Sequence, residues 1–219
     1  NAGFNCPNRD GKVGTKGCIY CSSLKSGDYA GDINDDLLKQ FETIKNIMSR
    51  KWPTGKYIGY FQAGTNTYAP LNILKEKYEL ILKQDNLVGL SIATRPDAIT
   101  NECLEYLKEL NERTYLTVEL GLQTIHEKTS ILINRCHTLE CFEDMVKKLR
   151  NYNINVVVHI INGLPYETKE MMIDTIKYLN TLDIQGIKIH MLHILKNTEL
   201  AYLYEKEKVI KSLIHLLTL

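Results

Sequence analysis

The chain has 219 residues, a formal net charge of +1, 44% hydrophobic and 24% charged residues. That is enough for one sizeable core, and the near-neutral charge gives no overall electrostatic case for nucleic acid or an acidic membrane surface. No apolar run approaches the ~18 residues of a membrane span and no secretory leader opens the sequence, so a cytoplasmic protein without membrane contact is expected.

The first feature in chain order is a loop with Cys6, Cys18 and Cys21, the last two separated by two residues. Between Cys6 and Cys18 it carries Gly11, Gly14, Gly17, Lys12 and Lys16. Three thiolates are one short of the set that closes an iron–sulfur cluster or a structural zinc site, which leaves a position where a substrate or cofactor can bind. A zinc ribbon needs a second Cys-x2-Cys, and Cys103, Cys136 and Cys141 do not supply one. The spacing therefore favours an open cluster over structural zinc. Six cysteines so distributed suit a reducing compartment better than a disulfide framework. The first residue is Asn1, close to the motif, which reads as a trimmed piece of a longer protein.

An apolar-periodic helix is predicted over 35–50, with Leu37, Leu38, Phe41, Ile44, Ile47 and Met48 on one side and Pro53 beyond its end. A strand over 56–61, a loop over 62–67 and a helix over 71–83 follow. Strands are predicted over 87–93, 115–122, 155–161 and 187–192. Thr100, Thr138 and Thr168 are placed to cap the intervening helices. The chain ends in a segment rich in Leu, Ile and Lys that reads as a final helix. Strands alternating with helices mean a parallel sheet with right-handed crossovers. No linker or low-complexity tract divides residues 1–219, so a single domain is expected.

Alternation along the strands narrows the fold. Thr117, Glu119, Gly121 and Gln123 share one face and Val118, Leu120 and Leu122 the other. His159 opposes Val158 and Ile160, while Lys188 and His190 oppose Ile187, Ile189 and Met191. A doubly wound sheet, covered on both faces, would read as nearly continuous apolar residues. One polar and one apolar face suit an α/β partial (β/α)6 TIM-like barrel with its site at the carboxyl ends of the strands. The slot for its first strand falls just before Cys6, so that strand is expected to be truncated. Glu119, His159 and His190 are the candidate catalytic groups in the lumen.

Cys6-x11-Cys18-x2-Cys21, with Tyr20 before the last cysteine, resembles the cluster loop of radical S-adenosylmethionine (SAM) enzymes. Their usual spacing is Cys-x3-Cys-x2-Cys, and the longer first gap points to a subgroup. Four further blocks resemble the YhcC-like radical SAM proteins: Ala2-Gly3-Phe4-Asn5-Cys6-Pro7-Asn8-Arg9-Asp10-Gly11; Gly27-Asp28-Tyr29-Ala30-Gly31-Asp32; Tyr60-Phe61-Gln62 with Thr65-Asn66-Thr67-Tyr68-Ala69-Pro70; and Thr94-Arg95-Pro96-Asp97. The wider relatives are elongator-catalytic-subunit-like, coproporphyrinogen-dehydrogenase-like and methylthiotransferase enzymes.

The resemblance implies a 4Fe–4S cluster on Cys6, Cys18 and Cys21, with SAM on the open iron. It implies reductive cleavage of SAM to a 5′-deoxyadenosyl radical that abstracts hydrogen from a substrate. Tyr20 matches an aromatic near adenine. Glu119 and Gln123, followed by Ile133-Asn134-Arg135 and His137, match a stretch around the methionine and ribose of SAM, with Arg135 a bidentate partner for its carboxylate. Gly64 and Thr65 fall where relatives cradle the SAM amino group, and Gly163 falls where the backbone approaches adenine. An electron donor of flavodoxin or ferredoxin type is the implied partner, and among the relatives' substrates a tRNA base leads. Two other readings of the residues stand beside this one: a zinc-dependent barrel enzyme, and an iron–sulfur protein that carries electrons or senses iron or oxygen. Substrate turnover separates the last from an enzyme, and a brown cluster separates iron from colourless zinc.

Overall fold

The structure is a computed structural model that describes residues 1–25, 27 and 30–206. Asp28 and Tyr29 of the second motif block, and the terminal Leu-, Ile- and Lys-rich segment beyond Lys206, lie outside the described residues. The strands β1 (Tyr57–Phe61), β2 (Leu87–Thr94), β3 (Tyr115–Gln123), β4 (Asn155–Asn162) and β5 (Gly186–Met191) pair in parallel and in chain order. The helices are α1 (Leu37–Ser49), α2 (Leu71–Leu82), α3 (Asn101–Arg113), α4 (Glu127–Leu132), α5 (Leu139–Asn151), α6 (Lys169–Leu179) and α7 (Glu199–Lys206), with one 3₁₀ turn at Pro96–Ala98.

The sheet curls. Laid flat, four inter-strand steps would hold β1 and β5 about 19 Å apart. Lys188 Nζ on β5 nevertheless lies 3.3 Å from Tyr60 Oη on β1, across the concave face. The result is the partial barrel expected from strand parity.

The convex face holds the core. Leu90 and Ile92 of β2, Leu116, Val118, Leu120 and Leu122 of β3, and Val156, Val158 and Ile160 of β4 are all essentially inaccessible. They pack in one cluster with Leu107 and Leu110 of α3 and Phe142 and Leu149 of α5. The helices start where side chains accept the first free backbone N–H groups. Asp36 accepts from Lys39, Thr100 from Cys103, Thr138 from Cys141 and Thr168 from Met171.

Two elements depart from the sequence reading. The 3₁₀ turn at Pro96–Ala98 and the six-residue α4 are absent from it. Both are too short to show an apolar period, and α4 starts at His126 without a side-chain cap. The apolar side of α1 forms as predicted, and Leu37 and Phe41 pack against the core, but the rest stays in the open: Ile44 is 46% and Ile47 56% exposed.

Candidate active site

Residues 6–21 form a loop that turns back on itself, with Val13 N donating to Pro7 O at 2.9 Å and Gly17 N to Asn8 O at 2.6 Å. Main-chain bonds then fasten it to three other parts of the fold. Thr65 N donates to Asn5 O and Gly64 N to Lys25 O, which ties the loop to the turn after β1. Ile19 N donates to Ile133 O and Asn134 Nδ2 to Gly17 O, which ties it to the turn after α4. Leu200 N donates to Ile19 O, which ties it to α7. These partners follow β1, β3 and β5, so the three cysteines sit over the carboxyl ends of the strands, the end where parallel barrels carry their chemistry. Gly64 is required there. Its φ is +80°, and a Cβ would lie 2.5 Å from Phe4 O.

Cys6, Cys18 and Cys21 are all free thiols and partly accessible. Burial pushes the Cys18 thiol up to about 11, with the Tyr20 hydroxyl hydrogen-bonded to it and Arg95 pulling the other way. Such a thiol becomes a thiolate readily only when a cation replaces its proton. Among the described residues, no three His, Cys, Asp or Glu side chains converge closely enough to hold a single metal ion. A multi-iron cluster spreads its thiolates more widely than one ion does, and three cysteines on one loop are a donor set of that kind. Asn8 Nδ2 reaches Asn134 O at 2.6 Å and lies 3.8 Å from Cys18 Sγ. Arg9 Nη2 donates to Cys21 O and Ser22 O.

The remaining residues expected to meet a cofactor fall into three groups. Gln123 and Gly163 both carry positive φ values, +66° and +84°, at the carboxyl ends of β3 and β4. Gln123 follows a break in the β3–β4 register. Tyr20 packs with Ile19, Ile133, Leu164 and Leu200 beneath the cysteine loop. Arg135 is the surprise. It is 2% exposed, and its guanidinium is committed to the chain: Nε donates to His137 O, and Nη1 donates to Leu122 O and Thr124 O. In this structure it is a strut that holds the turn after β3. Arg95, quoted above in the Thr94–Asp97 block without a role, grips the Asp97 carboxylate through Nε and Nη2 and reaches Arg135 O through Nη1 at 2.9 Å. Asn66, quoted above in the Thr65–Pro70 block, likewise had no role assigned. Its Nδ2 joins Phe61 O to Ala93 O, clamping the ends of β1 and β2. Both residues stand just past a strand end and inside a quoted block, the two signals that point to them.

The lumen gathers what strand parity put on one face. Glu119 accepts from Ser91 Oγ at 2.6 Å, from His159 Nε2 at 2.5 Å and from Lys188 Nζ at 2.6 Å. Burial works to raise its pKa, but the donors from His159, Lys188 and Ser91 outweigh that and hold it at about 2. His190 Nε2 lies 3.2 Å from His159 Nδ1. Cys103 is buried in the core, Cys136 is exposed at φ +62°, and Cys141 is half-buried at the start of α5.

The family model described as the radical SAM superfamily matches residues 6–179. The chain is 56% identical over 209 residues to the uncharacterised protein YtqA of Bacillus subtilis, covering 95% of this chain and 65% of that one. It is 35% identical over 206 residues to Protein YhcC of Escherichia coli, covering 94% and 65%. The chain thus spans about two thirds of the length of these curated relatives. Among solved structures, the archaeal Elp3 of Methanocaldococcus infernus superposes with a TM-score of 0.62 at 21% identity, over 77% of this chain and 43% of that one. At that identity the likeness is one of fold. No helix among the described residues is long and apolar enough to cross a membrane.

Proposed function

Because the chain belongs to the radical SAM superfamily, whose members bind a 4Fe–4S cluster and SAM, we propose that Cys6, Cys18 and Cys21 hold such a cluster and that the barrel mouth receives SAM. The observation that carries this reading is the fastening of a three-thiol loop over the carboxyl ends of β1, β3 and β5. When bound, the cluster and SAM together supply a 5′-deoxyadenosyl radical that abstracts hydrogen from a substrate.

The chain's own part is binding, orientation and shielding. Asn8 and Arg9 fix the loop from inside. The Gly64–Thr65 turn approaches the segment before Cys6 closely and is the candidate cradle for the SAM amino group. Gln123 and Gly163 border the mouth, Gln123 at a left-handed backbone position of the kind that collects at ligand sites. Arg135 serves this site by shaping the turn that carries Asn134. A one-electron donor of flavodoxin or ferredoxin type would supply the reducing electron. The resemblance to elongator-like enzymes makes a tRNA base the first substrate to test, by nucleoside profiling of a deletion strain.

The polar lumen favours an enzyme over an electron carrier or a sensor. The test is chromatography of the anaerobically reconstituted, dithionite-reduced full-length protein with SAM. The proposal expects methionine and 5′-deoxyadenosine, formed slowly without substrate. An intact cluster that leaves SAM uncleaved would overturn the enzyme reading.

A further inference from the structure

We propose that Glu119, His159 and His190 form a proton relay up the barrel lumen, which presents His190 Nδ1 as an acid–base group to a substrate at the mouth. For the reaction it serves, this rests on the radical SAM reading; the relay itself stands on the lumen geometry. A carboxylate kept ionised can only accept hydrogen bonds, so the hydrogen between Glu119 and His159 belongs to His159 Nε2. A neutral His159 then has a lone pair at Nδ1. With His159 in that one-proton form, the hydrogen in the 3.2 Å contact between the rings belongs to His190 Nε2. That leaves His190 Nδ1 with a free lone pair.

The positions run in the right order. Along β3 and β4, Glu119 pairs with Val157 and Gly121 with His159, while His190 pairs with Ile161 nearer the carboxyl end. Exposure follows: the Glu119 and His159 side chains are 8% and 18% exposed, and His190 is exposed. The imidazole rings stand 4.9 Å apart and tilted by 44°.

A proton arriving from a substrate N–H or O–H would be taken at His190 Nδ1. His190 would pass its Nε2 proton to His159 Nδ1, and the positive charge would settle on His159 beside the Glu119 carboxylate. The reverse sequence delivers a proton. No electrons move, and one proton enters for each that the substrate loses. Lys188 is a positioning residue: it bonds Glu119 at 2.6 Å and bridges to Tyr60, keeping the carboxylate ionised. The charged and titratable groups around His190 are His159 on β4, Glu119 on β3, Lys188 on its own strand and His193 just past it. Burial and the Lys188 ammonium act to keep His190 unprotonated, while the Glu119 carboxylate acts the other way.

The test uses the intact full-length protein and needs neither iron nor SAM. Long-range proton–nitrogen correlation spectra read histidine tautomers directly. The relay expects Nε2–H on both His159 and His190; Nδ1–H on either ring overturns it. As a second arm, diethyl pyrocarbonate modification of His190 is followed against pH by peptide mass spectrometry in the parent and in Glu119→Gln. The relay expects His190 to react readily at neutral pH in the parent. In Glu119→Gln the midpoint of its reaction profile should move to lower pH, because a negative charge that favours protonation is gone. An unmoved midpoint in a folded variant overturns the coupling. If Glu119→Gln fails to fold, the parent's tautomers alone decide. Failure to bind a cluster would sink the proposed function and leave this result standing.

Discussion

Glu119 shows how one side chain can carry both stability and chemistry. Its pKa is lowered from 4.5 to about 2 although burial alone would raise it. A carboxylate with a depressed folded-state value contributes stability above its unfolded value, and that contribution is lost as pH falls toward the folded value. The expected size is about 2 kcal/mol once solvent screening at the open mouth is allowed for. Urea unfolding of the parent and Glu119→Gln should therefore differ most above pH 4.5 and converge toward pH 2; a constant gap would contradict this account. Strand parity alone made Glu119, His159, Lys188 and His190 legible as one polar face, because a period of two is visible without knowing the partners. Ser91 and Tyr60 were not legible: Ser91 meets Glu119 through the pairing of β2 with β3, and only the curl of the sheet brings Tyr60 to Lys188. Arg135 was legible as a cationic fork near the strand ends, but its backbone partners were not. Sequence cannot show that its Nε and Nη1 bond the Leu122, Thr124 and His137 carbonyls.

At the scale of elements, periodicity predicts shape and burial predicts energy, and α1 separates the two. Its apolar stripe has the right spacing, yet Ile47 is 56% exposed, while Leu120 on β3 is wholly inaccessible. Ile47→Gln should change stability by no more than about 0.5 kcal/mol, whereas Leu120→Ala should cost about 2–5 kcal/mol through lost transfer energy and a cavity. Chemical denaturation of the two variants compares them directly, and a cost of several kcal/mol for Ile47→Gln would show that the stripe is covered after all. The threonine caps were legible because hydroxyl, helix period and preceding strand all agree at Thr100, Thr138 and Thr168. Helix α4 was not, since six residues carry less than two turns of pattern. It matters because the turn that follows it holds the cysteine loop through Ile133 and Asn134.

In the molecule as a whole, the cysteine loop, the barrel mouth and the lumen form one continuous arrangement. Three strand-end regions hold the loop, and the lumen opens beneath it onto His190, His159 and Glu119. The fold class and the three cysteines could be read from the sequence because strand–helix alternation and a Cys-x2-Cys pair are local patterns. The fastening could not, because its bonds join residues such as Asn134 and Gly17, far apart in the chain. The central claim is that Cys6, Cys18 and Cys21 together hold an iron–sulfur cluster with no spare ligand. The most direct measurement is iron and sulfide content after anaerobic reconstitution of the full-length protein, compared in the parent, Cys18→Ala and Cys103→Ala. The account predicts a full 4Fe–4S complement in the parent and in Cys103→Ala, whose cysteine lies buried in the core, and a labile or absent cluster in Cys18→Ala. A near-normal cluster in Cys18→Ala would contradict it.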